Sequence, residues 1–181
     1  MIHRNRKNIR LQGYDYSSEG NYFITICTRN RECFFGNIED KKFEYSSVGA
    51  IAYTFWNEIP KHFTQVQLGE FTIMPNHIHG IIKIVGSPDV VGSRHGVNLR
   101  HGANLRHANK NEFGKTIPGS VSTIIGQYKS SVTRWCNKND FNFSWQSRFH
   151  DHIIRDDAEL DRIERYIVNN VDNWADDKLF I

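Results

Sequence analysis

Hydrophobic and polar residues follow two different periods along the chain, and their order predicts the fold. Four segments are rich in the β-branched and aromatic residues typical of strands. They span residues 21–29, 66–74, 77–85 and a last stretch that ends near residue 154. Two segments between them repeat apolar residues every three or four positions, as amphipathic helices do. The first helix is predicted to begin at Ser46 or Ser47 and to end before Pro60, and the second to begin at Pro118.

A third helical pattern closes the chain, from a predicted cap at Asp156 to about Asn170. Its apolar stripe consists of Leu160, Ile163, Ile167 and Val171. The order strand, helix, strand, strand, helix, strand predicts an α+β fold. That fold is the ferredoxin-like βαββαβ sandwich, with an antiparallel sheet and both connecting helices on one face. The additional C-terminal helix carries Tyr166.

Length and composition indicate a single domain over residues 1–181, with a basic N-terminal arm at 1–20. Residues 86–115 are predicted to be a flexible insertion, because they contain three near-copies of a six-residue repeat at 94–109 without helical or strand periodicity. No apolar run reaches the roughly 18 residues of a membrane span, so no membrane partner is expected. The three scattered cysteines indicate neither a disulfide framework nor a zinc site, which favours a cytoplasmic location.

Basic residues are unevenly distributed, and this favours a polyanionic partner although the net charge is only +3. Three kinds of residue are candidates for DNA binding. Basic residues of the N-terminal arm can contact phosphates, aromatic rings can stack on unpaired bases, and basic residues lie on the polar face of the second helix. The candidates are Arg4, Arg6, Lys7, Arg10, Tyr14, Tyr16, Lys129 and Arg134. Basic tails also occur on proteins that bind no nucleic acid, so this pattern alone does not decide the function.

The sequence Met74-Pro75-Asn76-His77-Ile78-His79-Gly80 contains the first candidate chemistry. Because side chains alternate across a strand, His77 and His79 share a face and can bind one divalent cation. The alternative is a polar strand face that merely tolerates histidine. On the last helix, Tyr166 and Asn170 are one turn apart on one face. A tyrosine hydroxyl can attack a phosphodiester that a metal ion polarises, although a lone helix tyrosine is usually only a surface aromatic.

Two other segments contain similar residues but are given structural roles. Tyr128 follows Gln127 and precedes Lys129 and Ser130, yet it belongs to the apolar stripe of its helix and is predicted to be buried. His150-Asp151-His152 is a second histidine pair, but no tyrosine follows it at a matching spacing. We interpret this pair as structural or as lying near the DNA.

These motifs together resemble the single-tyrosine transposases with a histidine–hydrophobic–histidine motif, and most closely their REP-associated branch. The histidine motif at 74–80 is the main match, and Tyr166-Ile167-Val168-Asn169-Asn170 is the second. Further matching segments are 10–16, 22–28, 125–130 and 145–149. The resemblance covers nearly the whole chain except residues 86–115. The chain departs from the branch at Val171, where proline is common.

The resemblance implies metal-dependent cleavage and rejoining of single-stranded, hairpin-bearing DNA. Tyr166 would attack the phosphodiester to give a 5′-phosphotyrosine link and a free 3′-hydroxyl. His77, His79 and Asn170 would bind Mg²⁺ or Mn²⁺, and the protein would act as a monomer or a homodimer. Two alternatives stay open: a sequence-specific DNA-binding protein that descends from such a transposase but no longer cleaves, and a replication-initiator or relaxase-type nickase.

Overall fold

The computed structural model of the chain describes residue 11, residues 13–86 and residues 117–180. In chain order its elements are β1 (Gly20–Cys27), β2 (Gly36–Glu39), β3 (Lys42–Tyr45), α1 (Ser47–Asn57), α2 (Ile59–His62), β4 (Val66–Met74), β5 (His77–Ile84), α3 (Val121–Lys138), β6 (His150–Ile154) and α4 (Asp157–Val168). Short 3₁₀ turns lie at Arg29–Arg31 and Trp174–Asp176. Within the described ranges, no helix is long and apolar enough to cross a membrane.

The main sheet has the strand order β4-β5-β1-β6, and each neighbouring pair is antiparallel. α1 lies in the connection from β1 to β4, and α3 lies in the connection from β5 to β6. The predicted α+β, ferredoxin-like fold is therefore confirmed. The histidine strand β5 occupies an interior position, where backbone hydrogen bonds to both neighbours fix its register. In that register His77 pairs with Cys27, and His79 pairs with Thr25.

Each face of the sheet packs against a hydrophobic core of its own. The larger core lies under α1 and α3 and includes Ile24, Ile78, Ile82, Trp56 and Ile125. The smaller core lies on the other face, where Ile81 and Ile154 of the sheet pack against Ile163 and Ile167 of α4. Side chains at positions 77, 79 and 81 of β5 point the same way. The small core under α4 therefore lies beside the two histidines.

The connection between β1 and α1 differs from the sequence prediction. β2 and β3 form a separate two-stranded hairpin, whereas the sequence predicted only a short return at 33–36. Helical structure also continues past Pro60, because Pro60 occupies the first turn of α2, where its missing N–H leaves no bond unmade.

Several predicted features lie outside the described residues. These are the repeat at 94–109, nearly all of the predicted insertion, and the basic residues Arg4, Arg6, Lys7 and Arg10. The division of the chain into an arm, a domain and an insertion stays a prediction.

The position directly after His79 must be glycine for β5 to pack on α1. A Cβ atom on Gly80 would overlap the Trp56 ring and would lie 3.0 Å from the Cβ of Phe71. We expect Gly80→Ala to lower the free energy of unfolding by about 1–3 kcal/mol, the usual cost of overpacking a core. Urea denaturation of the purified variant measures this.

Gly126 of α3 provides the matched control, because a Cβ atom there would meet nothing within 4 Å. Alanine is a better helix former than glycine, so Gly126→Ala should raise the free energy of unfolding by about 0.5–1 kcal/mol. Equal stability of Gly80→Ala and the parent would contradict the packing described here.

Candidate metal and tyrosine site

His77 and His79 are both buried, at 0% and 3% exposure, on the sheet face that α4 and the C-terminal residues cover. Their ring centroids are 4.5 Å apart. The Trp174 ring, from the turn after α4, lies 5.9 Å from the His77 ring. The two imidazoles therefore face one shielded space, as the strand alternation predicted.

Hydrogen bonds at the Nδ1 atoms orient both rings. His77 Nδ1 lies 2.8 Å from the Asn76 side-chain oxygen, which can only accept, so Nδ1 must carry the proton. That proton leaves His77 Nε2 with a lone pair, the form that binds a metal ion. His79 Nδ1 lies 2.8 Å from the Thr25 hydroxyl, so its Nε2 also points into the shared space.

Tyr166 reaches this pair from α4. Ile163 and Ile167 of the same helix are buried against Ile81, while the Tyr166 side chain lies at the edge and is 47% exposed. Its hydroxyl is 3.1 Å from His79 Nε2. The hydrophobic contact of α4 thus positions the Tyr166 hydroxyl directly at one candidate metal ligand.

Asp177 is the site residue that the sequence did not predict. Its carboxylate, with His77 and His79, offers three ligand atoms that all lie within 4.8 Å of one another. We refer to these three residues as the His–His–Asp group. Asp177 Oδ2 accepts hydrogen bonds from the Tyr166 hydroxyl at 3.3 Å and from the Asn170 amide at 3.2 Å. In the sequence, only its place in the acidic stretch 172–177 could have drawn attention to it.

The residues after α4 are fastened to the strand turn that precedes His77. Asn76 donates its amide to the Leu179 carbonyl at 2.8 Å, and the Leu179 N–H donates to Asp177 Oδ1 at 2.6 Å. Asn76 therefore orients His77 through one side-chain atom and the Asp177 segment through the other.

Two buried polar atoms at the site are left without a hydrogen-bond partner among the described residues. They are His77 Nε2 and the side-chain oxygen of Asn170. Buried polar atoms are normally satisfied, so such orphans point to a missing ligand. Imidazole nitrogen and carboxylate and amide oxygens are the donors that borderline and hard divalent cations accept. The His–His–Asp group therefore fits a divalent metal ion.

Burial controls the charge state of the site. It lowers the pKa of His77 to about 3, with the positive charge of Arg31 as a second cause. It lowers the pKa of His79 to about 3 as well, with His77 as the next cause. Burial also raises the pKa of the Tyr166 hydroxyl, and the Asp177 carboxylate adds to that rise. At neutral pH both imidazoles are uncharged and the tyrosine is protonated.

A cleft lies beside Tyr166, along α4 and the C-terminal residues. Its volume is about 510 Å³. Cations and amides dominate its lining, which consists of Arg162, Arg165, Tyr166, Asn169, Asn170, Asn173, Asp176, Asp177 and Lys178. The cleft thus connects Tyr166 with solvent through groups that can contact phosphates and base edges.

The described candidate DNA-binding residues do not gather at this cleft. Tyr14 and Tyr16 pack edge to face with each other, and the Tyr14 hydroxyl lies 3.2 Å from that of Tyr22. Lys129 donates to the Gln146 carbonyl at 2.6 Å and lies over the Trp145 ring. Arg134 is exposed on α3. Their DNA contacts stay predictions.

The two structural interpretations made from sequence agree with the observed contacts. Tyr128 is buried, and its hydroxyl donates to the Ala52 carbonyl at 3.0 Å. His152 lies 2.9 Å from the Glu159 carboxylate near the start of α4. His150 pairs with Thr25 on β1, so it lies two strands away from His79 on the same face.

Comparison with known proteins gives a relative by sequence and neighbours among solved structures. The chain is 38% identical over 177 residues to an uncharacterized protein of Haemophilus influenzae, an alignment that covers 97% of this chain and 93% of the relative. The chain belongs to the same family as this protein. No family model matches the sequence.

Among solved structures, a REP-associated tyrosine transposase bound to a REP hairpin has a similar fold. The TM-score is 0.56 at 16% sequence identity, and the match covers 91% of this chain and 74% of the transposase. At that identity the likeness establishes the shared fold, and the site residues must be argued from the geometry above.

The buried neutral histidines make stability depend on pH. In the unfolded chain a histidine has a pKa of about 6.5, whereas both folded values are about 3. Between these values the unfolded state binds more protons, so the free energy of unfolding should fall as the pH is lowered from about 6.5 towards 3. The double variant His77→Gln/His79→Gln should lose less stability over this range than the metal-free parent in urea denaturation.

The exposed His62 provides the control for this measurement. His62→Gln should keep the pH dependence of the parent, because it removes an exposed imidazole and leaves the buried pair unchanged. Parallel curves for the parent and the double variant would show that the pair does not cause the acid sensitivity.

Proposed function

We propose that this protein cleaves and rejoins single-stranded, hairpin-bearing DNA in a divalent-metal-dependent reaction, with Tyr166 as nucleophile and a 5′-phosphotyrosine intermediate. This reaction is the chemistry of DNA transposition or of the mobilisation of REP-type elements. The observation that carries the proposal is the position of the Tyr166 hydroxyl, 3.1 Å from His79 Nε2 and 3.3 Å from Asp177 Oδ2. A nucleophile in contact with a candidate metal site is the arrangement that phosphodiester attack requires.

The metal, Mg²⁺ or Mn²⁺, would be bound by His77, His79 and Asp177. Asn170 stays a proposed ligand, since its amide oxygen is buried without a partner. A bound divalent cation polarises the phosphate and stabilises the charge that develops on it. The protein supplies a fixed, shielded donor set, because Asn76 and Thr25 hold the two imidazoles by their other nitrogen atoms.

The surroundings of Tyr166 oppose the loss of its proton, which attack on a phosphodiester requires. Its hydroxyl has a raised pKa, caused first by burial and then by the Asp177 carboxylate. A positive charge near Asp177 would offset that carboxylate and make the phenolate easier to form. A metal ion bound to Asp177 would supply that positive charge beside the Tyr166 hydroxyl.

The substrate follows from the shape and charge beside the nucleophile. The open cleft with Arg162, Arg165 and Lys178 can accept a flexible phosphodiester strand at Tyr166. The neighbour of similar fold is bound to a REP hairpin. We therefore propose a hairpin whose single-stranded flank enters the cleft. Formation of a covalent adduct distinguishes this enzyme from the alternative, a DNA-binding descendant that no longer cleaves.

The test of the nucleophile uses a pool of hairpin oligonucleotides with randomised single-stranded flanks, incubated with Mg²⁺ or Mn²⁺. The parent should form a covalent protein–DNA adduct that survives denaturing gel electrophoresis and requires the metal. Tyr166→Phe should form none, because only the hydroxyl is lost while the ring still packs on Phe23 and His79.

Tyr128→Phe is the matched control, since it also removes one tyrosine hydroxyl but inside the core. It should form adduct like the parent. Adduct with Tyr166→Phe, or none with the folded parent and metal on any strand, would overturn the proposed function.

The ligand set is tested without DNA, by titrating the protein with Mn²⁺ in a calorimeter. Loss of an outer-shell partner already weakens metal binding by roughly 10–100-fold, so Asp177→Ala, His77→Ala and His79→Ala should each weaken it at least that much. Asp176→Ala, which removes a carboxylate from the adjacent turn residue, should bind Mn²⁺ like the parent. Asn170→Ala should weaken binding less if water can replace the amide oxygen.

Equal Mn²⁺ affinity of Asp177→Ala and the parent would remove Asp177 from the ligand set. The role of Asp177 would then be limited to its hydrogen bonds with Tyr166 and Asn170.

A further inference from the structure

Arg31 lies near the His77 side of the histidine pair, where its positive charge lowers the pKa of His77. It ends the 3₁₀ turn Arg29–Arg31, which follows β1. The turn is fastened to the residue before His77, because the Thr28 N–H and hydroxyl both donate to the Asn76 carbonyl, at 2.9 and 3.0 Å. The Thr28 hydroxyl also lies 2.7 Å from the Glu32 carbonyl, which closes the turn. The backbone of Arg31 is therefore fixed relative to His77.

The backbone of this turn has an uncommon conformation. Asn30 and Arg31 have φ angles of 54° and 59°, the left-handed region that non-glycine residues rarely adopt. Such conformations persist where the surroundings impose them, and they concentrate at functional sites. The backbone conformation of Arg31 therefore makes its side chain a candidate for a function at this site.

The Arg31 side chain extends to the segment that carries Asp177. Its Nη1 atom lies 3.5 Å from the carbonyl of Lys178, the next residue in the chain. Asp177 itself contacts the Tyr166 hydroxyl. Two adjacent residues of one segment thus contact the two side chains: Asp177 contacts Tyr166, and Lys178 contacts Arg31. The guanidinium forms no salt bridge within the described part of the chain, so the donors that do not contact Lys178 remain available.

Tyr166 and Arg31 also act on different histidines. The Tyr166 hydroxyl contacts His79, whereas the charge of Arg31 acts on His77 and on its strand neighbour Cys27. The contacts order the groups as Tyr166, His79 and His77, and the charge of Arg31 acts at the His77 end. A phosphodiester attacked over the histidine pair would lie between the hydroxyl and the guanidinium.

We propose that Arg31 is a catalytic residue that stabilises the 3′-oxygen leaving group during DNA cleavage. This assignment rests on the function proposed above. The displacement at phosphorus is in line, so the leaving oxygen departs on the side opposite the nucleophile. The bond from Tyr166 to phosphorus forms as the bond from phosphorus to the 3′-oxygen breaks. The phenol proton passes to solvent, and the 3′-oxygen takes up a proton from water.

Arginine suits this role because it keeps its charge throughout the reaction and donates several hydrogen bonds in a fixed plane. A donor that contacts developing negative charge contributes more in the transition state than in the bound substrate. Arg31 should therefore affect the rate of cleavage more than DNA binding. Lys129, another cation whose charge reaches Cys27, already donates to the Gln146 carbonyl.

The experiment compares two versions of one strand, chosen as a strand on which the parent forms adduct in the assay above. One has the natural 3′-oxygen at the cleaved bond, and the other has sulfur in that position. A thiolate leaves with far less stabilisation than an alkoxide. Arg31→Ala should cleave the oxygen strand about 10²–10³-fold more slowly than the parent, the usual loss on removing one such donor. On the sulfur strand the difference should shrink to less than tenfold.

Arg29→Ala is the matched control, because it removes the same side chain from the first position of the same turn. It should cleave both strands like the parent. Binding of the oxygen strand is compared in a Tyr166→Phe background, where Arg31→Ala should change affinity less than threefold.

The outcomes separate the two proposals. If the parent and Arg31→Ala cleave the oxygen strand equally fast, Arg31 has no role at the leaving group, and the proposed function stands. An equal slowing on both strands would show that Arg31 only maintains the site, which also overturns the assignment. Failure of the parent to form adduct on any strand would overturn the proposed function and this assignment with it.

Discussion

The structure of the site depends on one constraint: two imidazoles are buried side by side without charge. This is tolerated because each Nδ1 atom has a fixed partner, Asn76 for His77 and Thr25 for His79. Both partners are set by the position of β5, since Thr25 is the cross-strand neighbour of His79 and Asn76 is the turn residue directly before His77. The sheet register therefore decides which nitrogen atoms are left to bind a ligand.

A large part of this arrangement could be predicted from sequence, because it follows from periodicity. The two-residue period of β5 placed His77 and His79 on one face, and the helical period of 157–168 predicted that Ile163 and Ile167 would be buried. Cap residues were equally informative, since Ser46 and Asp156 both accept the hydrogen bonds expected of N-caps. Tyr128 was correctly predicted to be buried because its helix position settles the question.

The positions of Asp177 and Arg31 could not be predicted. Both residues lie in irregular segments, and such segments have no period that a sequence pattern could reveal. Asp177 lies beyond the end of α4 and reaches the histidines through a 3₁₀ turn and a hydrogen bond between Asn76 and Leu179. Asn76 and Leu179 are about a hundred positions apart in the sequence, and neither Asp177 nor Leu179 belongs to a motif. Arg31 likewise depends on a turn in which two successive non-glycine residues are left-handed. Propensity argues against that conformation, so tertiary contacts must impose it.

The smaller core connects the stability of the fold to the proposed chemistry. Ile81 follows His79 by two residues on the same strand, so the isoleucine and the imidazole point to the same face of the sheet. Ile163 and Ile167 pack on Ile81, and Tyr166 is the residue just before Ile167. The packing that holds α4 on the sheet therefore also sets the 3.1 Å approach of the Tyr166 hydroxyl to His79. A helix that slipped by one residue would bury a polar side chain and move the Tyr166 hydroxyl away from His79 in the same step. Hydrophobic burial thus selects the one helix register in which the tyrosine meets the candidate metal ligands.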